Sequence, residues 1–346
     1  MTLCLAKYSA LESLAAAAQP AHGLLALPRT EPFDYDAPSS KAVADAQRSL
    51  PFLTQPATFV LPDASYRRNL RGASFLICKH AAVPGALWNL RAPADKPRQR
   101  NRNPIPAASE AVQGLPGTSS PAFCLAQLGA ELPFAQLAEL ACSLTGLYRF
   151  APSRTGSILD AVPIATLSEM RGFLERHSSI AGSRNARRAL GHAIERLGSP
   201  AETALYLMLC LPRRMGGFGF PHPVANGTIT PSSSRRTRVS QSEFHPDLLW
   251  PKARLILEYD SDEHHRLPQQ AARDAKRRND LEILGFDVIV ATRAILRNVS
   301  LFDKMADQIR LRLGLRATIR TEKWLQQRAE LRQLLLSPSP NSHYWR

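Results

Sequence analysis

Three carboxylates, Asp247, Glu258 and Asp260, fall within EFHPDLLWPKARLILEYDSD (243–262), the most apolar run of the chain that also carries acids. Burying an acid costs free energy unless a partner compensates it. The run reads as two short strands, 244–250 and 253–259, rich in Leu, Ile and aromatics and parted by Pro251-Lys252, which is a hairpin signal. With the turn centred there, Trp250 faces Ala253 and Asp247 faces Ile256. The two-residue period then sets Asp247, Glu258 and Asp260 on one face of the sheet, with Leu248, Leu255 and Leu257 on the other. Acids this close repel one another unless positive charge lies among them. Mg²⁺ answers that need, because it binds through one or two carboxylates and keeps positions for water and phosphate. Such an ion activates water near neutral pH and neutralises charge in an in-line phosphoryl displacement. The plainer alternative is a set of acids meeting nearby arginines at a strand edge.

Pro246-Asp247, ten residues, then Glu258-Tyr259-Asp260 resembles the PD-(D/E)XK nuclease motif. The surrounding LLWPKARLILEYDSDEHHR, followed by RDAKRRNDLEILGFDVIVAT, is similar to the very-short-patch-repair-type endonuclease domain, over the last third of the chain. The resemblance implies an α/β, restriction-endonuclease-like fold: a mixed sheet flanked by helices. It implies Mg²⁺- or Mn²⁺-dependent hydrolysis of phosphodiester bonds in double-stranded DNA, in phage defence or DNA repair. By the same resemblance Asp247 and Glu258 are metal ligands, Asp260 completes or orients the site, and Glu202 in GSPAETALYLMLCLP holds a metal-bound water. His264 or His265 would serve as acid/base or phosphate contact, and Asp274 and Arg277 match an Asp-x-x-Arg helix start. Two departures matter: Asp260 stands in place of the lysine in the superfamily's name, and Ser261 where the branch has Gly. The first leaves open which group assists the water. It also sustains a second expectation, a catalytically inactive, antitoxin-like nucleic-acid-binding or regulatory protein that keeps the fold.

Several of these residues have plainer readings. Ser199-Pro200-Ala201-Glu202 is also an N-terminal capping box with proline at N1. One of the adjacent histidines reads as a surface residue at a helix start. Arg235, Arg236 and Arg238, before the hairpin, and Arg273, Arg277 and Arg278, after it, bracket the carboxylates and are expected to flank one phosphate channel. Lys276 joins the second group, and a solvated helix face is the usual meaning of such a run. Arg184, Arg187 and Arg188 belong to a helix outside the motif.

The elements that must position these residues follow from pattern and punctuation. An apolar helix over 202–211, a strand near 227–230, the hairpin, a helix over 268–284 and a β-branched strand over 286–291 give a mixed sheet flanked by helices. Helices over 301–313 and 322–336 follow, and SPSPNSHYWR reads as a disordered tail. Ahead of this part, an Ala-rich N-terminal helix, a helix from Lys41 capped by Ser39 or Ser40, and strands 59–61 and 74–79 are expected. Ser120 and Pro121 open an αα-hairpin that breaks at 129–133. Its second helix, 134–147, offers base edges no Arg, Lys or Asn, so it reads as core rather than as a DNA-reading helix. Two more helices are expected over 164–177 and 184–197. KPRQRNRNPIP, from Lys96, reads as a solvated basic loop, and MGGFGFPHPV is weak as a phosphate loop because no strand precedes it.

At 346 residues the chain has material for two or three domains. The expected division is a mainly helical α+β domain (1–150), a helical linker (151–197), the nuclease-like domain (198–315) and a C-terminal helix with its tail (316–346). A net charge of +15 suits a polyanionic partner, nucleic acid above all. No apolar run reaches the length of about eighteen residues that spans a bilayer. The start, MTLCLAKYSALESLAAAAQPAHG, imitates a signal peptide, yet Glu12 interrupts its apolar part and it reads as a helix. Five scattered cysteines, without zinc spacing, fit the reduced thiols of a cytoplasmic protein.

Overall fold

The computed structural model describes residues 3–17, 25–28, 37–91, 115–150, 158–260, 268–317 and 320–337. They form two compact units, the first drawn from 1–144 and 148–191, the second from 145–147 and 192–338. The basic loop from Lys96, most of RTEPFDYDAPSS, the APSRTGS segment, His264, His265 and the tail from 338 lie outside the described residues.

The first unit holds more sheet than its sequence shows. Six strands, Leu25–Pro28, Leu87–Arg91, Gly117–Ser119, Cys4–Leu5, Ala57–Leu61 and Ala73–Ile77, stand side by side in that order. Only the last two answer the expected strands, although helices still hold more of residues 1–150 than strands do. Cys4–Leu5 and Gly117–Ser119 are too short for any alternation to register, and they pair in parallel only because distant segments meet. The N-terminal helix accordingly starts at Lys7, giving Lys7–Ala17. Ser120 caps Pro121–Gly129, with Pro121 in the first turn. Phe134–Leu144 is buried from Ala135 onward, which confirms it as core. Of the expected linker helices, Leu167–Arg176 opens with a Thr166/Glu169 capping box. The other, Ser183–Leu190, stops at Gly191, well short of 197, and both belong to the first unit.

The second unit is built on a four-stranded mixed sheet flanked by helices. Its order is Asp287–Thr292, Leu255–Asp260, Leu248–Trp250, Val224–Ala225, with the first pair parallel and the others antiparallel. The helix Pro268–Ile283 makes the crossover between the two parallel strands, as a parallel pair requires. Leu249 and Ile256 share one sheet face and pack with Leu281 and Leu284, together with Ile229 and Phe244. Each such buried side chain contributes roughly 1.5–3 kcal/mol. The strand expected near 227–230 is instead Val224–Ala225, and Ile229 makes only an isolated bridge to Phe244.

The C-terminal helix Glu322–Leu336 is integral to this unit rather than an appendage. Its Trp324, Arg328, Leu331, Arg332 and Leu335 are buried. Arg328 Nη1 lies 3.1 Å from Asp303 Oδ2, and Arg332 Nη2 donates to the carbonyls of Leu296 and Arg297 at 2.9 Å each. The Gly-rich MGGFGF segment passes beneath this helix. At Gly216, with φ +86°, a Cβ would collide with the Gln327 carbonyl, so glycine is required there.

Candidate active site

The hairpin turn spans 251–254 instead of two residues, with the Arg254 amide donating to the Pro251 carbonyl at 3.1 Å. The register therefore differs from expectation: Trp250 pairs with Leu255, Leu249 with Ile256 and Leu248 with Leu257. This is a slip of two residues. A slip of two exchanges partners but not faces, so the acids stay on one side. It also improves their meeting, because Asp247, one step beyond Leu248, now comes opposite Glu258 rather than Ile256. Asp247 Oδ2 accepts the Tyr259 amide at 2.7 Å, which fixes the carboxylate against the neighbouring strand. Asp247 and Glu258 continue the face of Leu249 and Ile256, and both are partly buried.

Glu202 joins them from the helix Pro200–Cys210. The Ser199 hydroxyl caps this helix by accepting the Glu202 amide at 3.1 Å. The Glu202 carboxylate reaches back to the Gly198 amide at 2.7 Å, one residue past the Ser199 amide that a standard capping box uses. The capping expectation is thus met in altered form, by the same side chain that stands beside Asp247 and Glu258. Glu202 is 8 % exposed, and burial is the main cause raising its pKa, opposed by the bonds from Gly198, Ser199 and Asn226 and supported by the charge of Glu258. Asp247 is pushed up to about 7, first by burial and then by the Glu202 charge, with the Tyr259 amide and Arg277 acting the other way.

Asn226 ties these parts together, and the sequence reading passed over it. Its amide donates to the Asp247 carbonyl at 3.1 Å and its side-chain Nδ2 to the Arg196 carbonyl at 2.8 Å. Its φ of +48° is a left-handed conformation that Asn tolerates, and the Asn226-Gly227 pair was the available turn signal.

Arg277 meets the site directly: Nη1 lies 2.6 Å from Glu258 Oε2, and Nη2 donates to the His245 carbonyl at 3.0 Å. Glu258 Oε1 is buried and has no hydrogen-bond partner. Leaving such an acceptor unmet costs about 1–3 kcal/mol. Asp260 ends its strand opposite Thr292, ahead of the short helix Arg293–Arg297. Arg293 and Arg297 lower the pKa of the adjacent Tyr259, which burial raises, so that end of the sheet also carries positive charge.

Of the six expected phosphate-binding arginines, Arg277 and Arg235 engage partners at separate points along one helix. Arg277 turns to Glu258, and Arg278 Nε lies 3.5 Å from the Asp274 carbonyl. Arg273, Arg236 and Arg238 are exposed. Arg235 Nη1 donates to the Leu284 carbonyl at 2.5 Å, at the far end of the same helix. Seven residues separate Leu284 from Arg277, about 10 Å of helix.

Among the described residues, no three His, Cys, Asp or Glu side chains stand together as a ready-made metal cage. Asp247 and Glu258 form a pair, which is the carboxylate number Mg²⁺ uses when water and phosphate fill its other positions. Their donors are hard oxygens, one of them is buried without a partner, and Asp247 resists ionisation as it stands. The residues present fit a divalent cation. No family model, curated protein or solved structure matches this chain.

Proposed function

We propose that the second unit is a restriction-endonuclease-like domain of the PD-(D/E)XK type, in which Asp247 and Glu258 hold Mg²⁺ or Mn²⁺ for hydrolysis of DNA phosphodiester bonds. The observation that carries this is the buried, unpartnered Oε1 of Glu258, on a strand whose neighbour presents Asp247 at the same level. When bound, the cation would supply positive charge to the phosphoryl oxygens and make water more acidic. Glu202, whose carboxyl burial pushes above the usual carboxylate range, stands beside Asp247 and Glu258 and would accept a proton from the attacking water. Asn226 positions both acids through its bonds to Glu202 and to the Asp247 backbone. Arg277 supplies a guanidinium for a phosphate oxygen, and the net charge of +15 supplies the attraction for a polyanion. The site also lies toward the carboxyl end of a parallel strand pair, where open α/β sheets bind their ligands.

One observation favours the second reading, an inactive nucleic-acid-binding or regulatory protein. Arg277 already neutralises Glu258, which is the task a cation would otherwise perform. Supercoiled plasmid incubated with Mg²⁺ or Mn²⁺, and with EDTA, separates the two. Cation-dependent nicking that EDTA abolishes supports the enzyme. DNA binding without nicking under either cation supports the regulatory protein.

A further inference from the structure

A cavity of about 470 Å³ opens at the other end of the helix Pro268–Ile283, lined by Ile229, Thr230, Ser234, Arg235, Arg254 and Phe286 among others. Arg235 and Arg254 both donate to one acceptor, the Leu284 carbonyl, and Arg254 Nε donates to the Gly285 carbonyl at 2.7 Å. Capping a helix C-terminus accounts for one guanidinium there. It does not account for two converging on the same oxygen, where they repel each other. Among the described residues neither has a carboxylate partner.

The convergence is built into the chain. The helix ends in a Schellman turn, with the Phe286 amide bonded to the Leu281 carbonyl and the Gly285 amide to the Glu282 carbonyl. Gly285 takes φ +83°, and a Cβ on it would lie 3.2 Å from Arg254 Nη2 and 3.6 Å from Arg235 Nη1. Arg254 itself adopts φ +49° and lays its guanidinium 4.4 Å from the centre of the Phe286 ring. Two oriented guanidinium groups, with the hydroxyl-bearing Thr230, Ser232 and Ser234 lining the same cavity, are the chemistry of a phosphate site. Ile229, Pro231, Leu284 and Phe286 add apolar wall for a ring-bearing organic part.

We infer that this cavity binds the phosphate group of a nucleotide, separately from the carboxylates. Arg254 and Glu258 are four residues apart on an extended segment, about 13 Å, too far for one phosphate to reach both. The nucleotide could be free or part of a polynucleotide; the phosphate chemistry is the same.

Calorimetric titration in EDTA, which prevents phosphate from binding through a cation at the carboxylates, tests this with inorganic phosphate and deoxyadenosine 5′-monophosphate. Both should bind the full chain, the nucleotide more tightly. Arg235→Gln, which keeps a donor for Leu284 but loses the charge, should weaken both at least about tenfold, equal to 1.4 kcal/mol. Ser234→Glu, at an exposed position, would place a carboxylate in the cavity and should do the same, with an unchanged circular-dichroism spectrum. Competition by a short DNA oligonucleotide would identify a polynucleotide subsite, and lack of competition a free nucleotide; either supports the inference. No binding to the unaltered chain, or equal binding to folded Ser234→Glu, overturns it. Plasmid nicking and this titration fail independently, because they read different residues.

Discussion

Arg277 and Glu258, nineteen residues apart in sequence, close a 2.6 Å ion pair that fastens the crossover helix to the strand it follows. Both side chains are partly buried, so the pair is stronger than a surface bridge yet leaves Glu258 Oε1 unmet. Breaking it strands a carboxylate among other carboxylates. Arg277→Ala should lower unfolding free energy by about 1–3 kcal/mol in metal-free buffer, less than the loss for a fully buried pair. Mg²⁺ should restore part of that, since it supplies the missing charge. Urea denaturation with and without Mg²⁺ measures both, and a variant as stable as the parent without metal would show that the pair contributes nothing.

The carboxyl of Asp247 gives the protein a pH signature. Its folded pKa, about 7, lies above the ordinary carboxyl value of 3.8, so the folded state holds a proton that the unfolded chain releases. Between about pH 4 and pH 7 stability therefore falls as pH rises, and above that window the loss is complete. Asp247→Asn should stabilise the metal-free protein at pH 8 by about 1–3 kcal/mol, and the gain should vanish toward pH 4. Thermal melts across that range decide it; a gain that is constant with pH would place its cause elsewhere.

Glu202→Gln separates capping from chemistry. The amide oxygen of Gln can still accept from Gly198, and a buried negative charge is removed, so melting temperature should hold or rise. Nicking rate should fall at least about tenfold if Glu202 handles the water's proton. A loss of stability with the rate intact would make Glu202 a cap alone.

Arg236, Arg238 and Arg273 are exposed, whereas Arg235 and Arg277 already have carbonyl or carboxylate partners. Replacing the three exposed residues by alanine should flatten the log-affinity against log-salt slope for DNA, by about 0.9 per lost phosphate contact. Equal changes on unrelated sequences would mark them as positioning contacts. If the slope moves only with Arg184, Arg187 and Arg188, the first unit carries the DNA contact.

What the sequence disclosed was set by how local each feature is. Helix Glu322–Leu336 matches its expected limits because the Thr321 cap and helix-forming residues are all nearby in the chain. The face shared by Asp247 and Glu258 was legible for a similar reason, since a period of two survives the two-residue error in the turn. The turn itself was not, because Arg254 in a left-handed conformation is stabilised by Leu284 and Gly285, thirty residues on. Cys4–Leu5 and Gly117–Ser119 were invisible as strands, because they are held by each other and by the distant strands Ala57–Leu61 and Leu87–Arg91. Asn226 and the meeting of Arg235 with Arg254 likewise depend on contacts between distant segments. His264 and His265 lie outside the described residues, so their expected role stays a matter for mutation.

On the proposed reading, Asp247 and Glu258 together hold the cation used in phosphodiester cleavage. The most direct measurement is the initial rate of supercoiled-plasmid nicking in Mn²⁺ for the parent chain, Asp247→Ala and Glu258→Gln, each confirmed as folded by circular dichroism. The parent should nick, and each variant should fall at least about a hundredfold, since a lost ligand removes the charge that stabilises the transition state. Nicking at the parental rate by either folded variant would contradict it.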